Sequence, residues 1–179
     1  MNILVHICCA PCFTYPHPRL LEEEHDITGF FYNPNIHPFL EYKKRFQTLQ
    51  NYAHKQNVEV IYKDEYDLKM FLEGAINSEN RCEFCYTCRL KEAAKTAKEE
   101  GFDAFTTTLL VSPYQKHDLL KAIGEKVGNE NNILFYYEDF RVGWKKTREI
   151  SKNLELYRQK YCGCIFSEMD RYYKKLILH

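Results

Sequence analysis

The residues in this chain best suited to chemistry are its eight cysteines, which fall into three knots. HICCAPC sets Cys8 beside Cys9 with Cys12 three residues on, RCEFCYTC spaces Cys82, Cys85 and Cys88 as C-x-x-C-x-x-C, and YCGC puts Cys162 and Cys164 either side of Gly163. C-x-x-C at or near a helix start places sulfurs on neighbouring turns, where the helix dipole favours thiolate. Thiolate is the form that binds zinc and iron–sulfur clusters alike. Cys8, Cys9, Cys82 and Cys85 would give four ligands from two elements, which suits a cluster or a structural zinc, and the spacing leaves both open. Core thiols packing as small hydrophobes are a third reading, but that leaves the clustering unexplained. The CGC knot differs. Two thiols one residue apart close a very small ring, poor as a staple and reducible for that reason. Gly163 supplies the backbone freedom such a loop needs. CGC therefore reads as a redox-active pair, with direct iron ligation by Cys162 or Cys164 as the alternative.

Strands are predicted at 2–8, 26–33, 58–62, 103–111 and 133–140, separated by helical patterns at 16–25, 39–57, 81–102 and 112–128. After 140 the pattern is mostly helical, over 144–161 and 167–178, with CGC in the turn between. Strands alternating with helices imply one α/β domain over 1–179, a largely parallel sheet between helices, with a helical part at 144–179 carrying the CGC pair. Ligands of such sheets bind beyond the carboxyl ends of the strands, where Cys8 and Cys9 fall.

A chain of 179 residues with 45% hydrophobic content can bury a core without disulfides. Its start has no basic region and too short an apolar run for a signal peptide, and no run approaches membrane-spanning length. The expected compartment is the reducing cytoplasm, where crowded cysteines imply metal or redox chemistry. Lys and Arg total 25, matching the 25 Asp and Glu, so any nucleic-acid contact must come from a local patch. Candidates for substrate contact follow strands two and four: Tyr32, Asn33, Asn35 and His37 around a proline-rich loop, then Tyr114, Gln115, Lys116 and His117. Tyrosine and histidine can stack on a base and asparagine can read its edge, although ordinary turn chemistry also explains Asn-Pro. His117 is a candidate proton donor. Lys43, Lys44, Arg45, Arg141, Lys145, Lys146, Arg158 and Lys160 are candidates for phosphate contact, each with a solvated helix face as its plainer reading.

Taken in order, HICCAPC, FYNPNIHPFLEYKKR, RCEFCY, AFTTTLLVSPYQKH, EDFR and YRQKYCGCIFS resemble the epoxyqueuosine reductases of the QueH type, from Ile3 to about Ser167. The resemblance implies an adenine-nucleotide-hydrolase-like (HUP) fold in which CCAPC replaces the phosphate-binding loop, so no use of ATP. It implies reduction of epoxyqueuosine in the tRNA wobble position to queuosine, without cobalamin and with a [4Fe-4S] cluster. Carried over by position, Cys8, Cys9, Cys82 and Cys85 match the cluster ligands and Cys162 and Cys164 the redox-active pair, expected to form a disulfide. Cys12 falls where a ligand to an additional mononuclear iron could sit. Cys88 departs from the pattern and reads as a spare core thiol. The implied partners are tRNA carrying epoxyqueuosine in its anticodon and an electron donor that the sequence does not identify. The substrate-contact set expected from both arguments is Tyr32, Asn33, His37, Gln115, Lys116 and Arg141. A zinc-stabilised RNA-binding protein without catalysis is the competing function.

Overall fold

A computed structural model describes the backbone of residues 1–177 and the side chains of residues 1–173. Five parallel strands form one sheet in the order β3-β2-β1-β4-β5, with β1 at Asn2–His6, β2 at Asp26–Phe31, β3 at Val60–Tyr62, β4 at Ala104–Thr107 and β5 at Leu134–Phe135. The middle strand explains its own composition. Helices cover both faces, so Ile3, Leu4 and Val5 are all fully buried and no polar alternation is needed. Gly29 of β2 is required by close approach, since a Cβ there would lie 2.6 Å from Ile7 Cδ1.

Short helices α1 (Ala10–Phe13) and α2 (Pro16–Glu22) link β1 to β2, and α3 (Phe39–Gln56) links β2 to β3. Between β3 and β4 run α4 (Leu68–Asn77) and α5 (Arg81–Glu99). Asp67 caps α4 by accepting from the Met70 amide, and Asn80 caps α5 by accepting from the Cys82 and Glu83 amides. After β4 come a 3-10 turn at Thr108–Val111 and helix α6 (His117–Asn131); α7 (Trp144–Asn153) and α8 (Ile165–Ile177) complete the described chain.

The five strands occur where the sequence places them but are shorter. The stretch 108–111 is a 3-10 turn rather than the end of β4, because the Thr107 hydroxyl accepts from the Leu109 amide and turns the chain. The continuous helix expected over 144–161 ends at Asn153: Glu155 takes a positive φ of 52°, and residues 154–164 run as a non-helical strap. Tertiary contacts override the helical periodicity there. Tyr157 donates to Glu41, Tyr161 donates to the His37 carbonyl, and the buried Arg45 donates to the carbonyls of Tyr161 and Cys162 at 3.1 and 2.9 Å. The last helix begins at Ile165, two residues before the expected start, and its expected final residue, Leu178, lies outside the described residues.

Candidate metal and redox site

Every site element comes from the carboxyl edge of the sheet. With β1 flanked by β2 on one side and β4 on the other, the chain connections diverge between β1 and β4, and a crevice opens there. Cys8 and Cys9 leave β1 into that crevice, and α1 returns Cys12 to them. All three are buried, with their sulfurs within 4.8 Å of one another. Thr108, just past β4, ties the two strand ends together: its hydroxyl accepts from the Cys8 amide at 3.1 Å and lies 3.3 Å from Cys8 Sγ. His6 braces the same edge. Its Nε2 meets the Tyr32 carbonyl at 3.1 Å and so must donate, leaving Nδ1 to accept from the Thr107 hydroxyl at 2.8 Å. Burial and the nearby Arg89 charge lower the His6 pKa to about 4, so it is a neutral brace.

The three thiols are shifted in opposite senses. Hydrogen bonds from Cys12 and Cys9 hold Cys8 well below the ordinary thiol range, while the Cys8 sulfur raises Cys12 and burial raises Cys9. The Gln159 side-chain amide reaches in from the strap and donates to Cys9 Sγ at 2.9 Å.

The second knot occupies the first turns of α5. Cys85 is buried beside Phe71 and Ala75, with Phe84, Cys164 and Phe166 packed around them. Here the dipole argument fails for Cys85, since burial raises its pKa to about 12. A cation one turn along partly offsets that. Arg89, fully buried, donates from its guanidinium to Cys85 Sγ at 3.2 Å and to the Cys85 carbonyl at 3.2 Å. Burial opposes the Arg89 charge, yet Cys85, Cys162 and Cys8 together outweigh it and raise its pKa. Arg89 is hydrogen-bonded to Cys85 and forms no ion pair with a carboxylate among the described residues. An arginine cannot shed its proton in a protein, and burying one without an anion costs several kcal/mol. Thiols around a buried cation that no carboxylate pairs among the described residues fit a group of net negative charge, as an all-thiolate iron–sulfur cluster is.

The third knot lies on the strap. Cys162 is exposed on the cavity wall, although surrounding protein atoms still raise its pKa by desolvation, and Gln115 donates to its sulfur at 3.5 Å. Gly163 has φ 143° and its carbonyl accepts from the His37 amide at 2.8 Å, which fixes the loop against the chain after β2. Both CGC cysteines are free thiols here, as are the other six.

These groups border a cavity of about 870 Å³ with Cys8 and Cys12 at its floor. Gln115, from the expected substrate set, lines it. Tyr32 does not: its ring lies under Lys63 and its hydroxyl is 3.9 Å from Cys88 Sγ. Asn33 is buried and donates to the Ile7 carbonyl at 2.8 Å, and His37 is buried behind the strap. Lys116 points to solvent, Arg141 is paired with Asp139 outside the cavity, and the buried His117 meets the Ser112 carbonyl at 3.3 Å. Arg45, expected at phosphates, instead pairs with Glu41 in the interior. Sequence reasoning passed over Arg89, Gln159 and Thr108. Arg89 stands four residues after Cys85, a legible spacing, but nothing in the sequence tells a buried arginine from a solvated one.

No helix among the described residues is long and apolar enough to cross a membrane. A family model described as epoxyqueuosine reductase QueH matches residues 3–170. An epoxyqueuosine reductase QueH of Dehalococcoides mccartyi is 34% identical over 174 residues, covering 97% of this chain and 96% of the relative. That of Thermotoga maritima is 35% identical over 187 residues, covering 95% and 92%. Among solved structures, the U34-tRNA thiolase NcsA from Methanococcus maripaludis with its [4Fe-4S] cluster aligns with a TM-score of 0.60 at 14% identity, over 93% of this chain and 61% of that one. That likeness is one of fold, and with the sheet order it gives the HUP-type architecture.

Proposed function

The chain belongs to the epoxyqueuosine reductase QueH family, and on that premise we propose that it is an oxidoreductase that reduces epoxyqueuosine in the wobble position of tRNA to queuosine. Beyond family membership, the observation that carries this reading is the cavity, with buried thiols at its floor and an exposed thiol on its wall.

Removing the epoxide oxygen takes two electrons and two protons, leaves a carbon–carbon double bond and releases one water. A dithiol supplies that count: two S–H bonds break, one S–S bond forms, and both electrons and both protons pass to the substrate. Cys162 and Cys164 are assigned this step, with Gly163 giving the loop the freedom to close the small ring. Gln115 orients the Cys162 sulfur toward the cavity. The resulting disulfide is returned to dithiol by an external low-potential electron donor, and the scheme uses neither cobalamin nor ATP.

Cys8, Cys9, Cys82 and Cys85 would hold a [4Fe-4S] cluster, leaving Cys12 for an additional mononuclear iron. When bound, the cluster carries electrons singly and the iron offers a Lewis acid to an oxygen. The chain's own part is to hold such a group in place: Thr108 and Gln159 hydrogen-bond the thiolates and Arg89 balances their charge. A tRNA substrate and a reductant of low potential both suit a cytoplasmic location.

The test is to give anaerobically reconstituted, reduced protein an anticodon stem-loop carrying epoxyqueuosine and to follow the RNA by mass. Loss of one oxygen atom is expected. No conversion by fully iron-loaded, fully reduced protein that still binds the RNA would defeat the proposal.

A further inference from the structure

The cavity wall is charged in one sense only. Arg148, Arg158, Lys160 and Arg171 line it, and no aspartate or glutamate does, in a chain whose 25 acidic residues equal its basic ones. None of the four cations takes part in an ion pair among the described residues. Four aromatic side chains stand among them, Tyr114, Trp144, Tyr157 and Tyr161, and the first two meet each other. Tyr114, which follows the 3-10 turn after β4, and Trp144, at the start of α7, both line the cavity and meet edge to face, with centroids 5.8 Å apart and planes at 85°. Trp144 is itself partly buried against the main core, so the open ring of the pair is that of Tyr114. Tyr114 is 82% exposed, a large aromatic surface that the fold itself does not use. Arg148 follows Trp144 by one turn of α7 and lines the same wall.

An exposed aromatic ring set among cations that have no ion pair among the described residues is an arrangement that binds single-stranded nucleic acid, with bases stacking on the ring and phosphates meeting the charges. We infer that Tyr114 and Trp144 form a stacking platform for an unpaired nucleobase flanking the target nucleotide, while the four cations take the adjoining phosphates. This rests on the RNA-reductase reading and adds to it the residues that seat the RNA. The platform holds the neighbour of the reacting base and leaves the thiol-floored cavity to that base alone. Stacking tolerates any base, because every base has a π face, so the platform sets position and not sequence.

The chain has one tryptophan, so its selectively excited emission reports this site alone. An unmodified anticodon stem-loop titrated into iron-loaded protein should quench that emission to saturation, and a blunt duplex of the same length should not. By anisotropy of labelled RNA, Trp144→Ala should raise Kd about tenfold and Tyr114→Ala by a similar factor, with Trp144→Phe restoring most of the affinity. Because Tyr114 is exposed, its replacement tests the platform even if Trp144→Ala unfolds. Emission unmoved by saturating stem-loop, or Tyr114→Ala binding as tightly as the parent protein, would overturn the inference. The two readings fail separately: conversion of epoxyqueuosine without quenching removes the platform and keeps the reductase. Quenching without conversion keeps the platform as an RNA site and removes the reductase.

Discussion

The Cys8–Cys9–Cys12 knot and the Cys162–Cys164 knot hold thiols in opposite ways. The first is built onto the buried end of the central strand, and its three sulfurs are buried. The second rides on a strap without regular secondary structure, carries an exposed thiol, and keeps its position through hydrogen bonds that involve Arg45, Tyr157, Tyr161 and the Gly163 carbonyl. A metal ligand gains from immobility, since each sulfur must stay where the ion needs it. A thiol that forms and breaks a bond with its neighbour needs backbone that can adjust, and Gly163 with its positive φ provides that. On the proposed assignment, the difference separates a holding site from a working one.

The largest expected effect tests that separation directly. Cys9→Ser should reduce iron content of anaerobically purified protein to background, whereas Cys162→Ser and Cys164→Ser should keep their iron and lose turnover by at least about a hundredfold, the scale of losing a group that acts in the chemical step. Iron loss in either strap variant would make that knot a ligand too. Next comes Arg89→Met, which removes the buried cation while keeping its bulk. Metal-free protein should become more stable and loaded protein less, narrowing the gap between their melting temperatures by roughly 5 °C. A gap that is unchanged would show that Arg89 does not balance the bound group.

Arg45→Ala probes the strap's anchor. It leaves Glu41, only 9% exposed, without its cation and frees two carbonyls, so urea unfolding should show a loss of about 3 kcal/mol. The same variant should let an alkylating reagent reach Cys162 faster while Cys9 stays protected. Smaller still are the effects on RNA affinity. With four lining cations the logarithm of the binding constant should fall against that of salt with a slope of about −3, and Arg158→Ala should make the slope shallower by roughly one unit. Arg141→Ala should change affinity less than about twofold. Its hydrogen bonds hold the Asp139 carboxyl down to about 2. The depressed pKa means that this pair's contribution is present above the ordinary aspartate range and is lost only as pH falls toward 2.

Much of the architecture was legible because it depends on short-range pattern. The run ILVHI can only be a strand covered on both faces, and Asn80 before the C-x-x-C helix is an ordinary cap. Helix α4 has an equally ordinary cap in Asp67 and an apolar face through Phe71 and Ala75, so its signal was present in the sequence and went unread. The strap is a different matter. Residues 154–161 carry helix-forming types, and what keeps them extended is Glu41, His37 and Arg45, more than a hundred positions away in sequence. Arg89 and Gln159 were hidden for the same reason, because a long polar side chain reads as surface until the fold buries it.

A neutral protein with four cations and no carboxylate lining one recess has a consequence for the search through a crowded pool of RNA. Taking those four from the 25 basic residues leaves 21 against 25 acidic ones, a balance that gives a polyanion no net attraction beyond a Debye length. Encounters elsewhere on the surface should therefore be brief, and the protein should spend little time sequestered on transcripts that offer no unpaired loop. Residence time, rather than collision frequency, then selects the molecules that it works on.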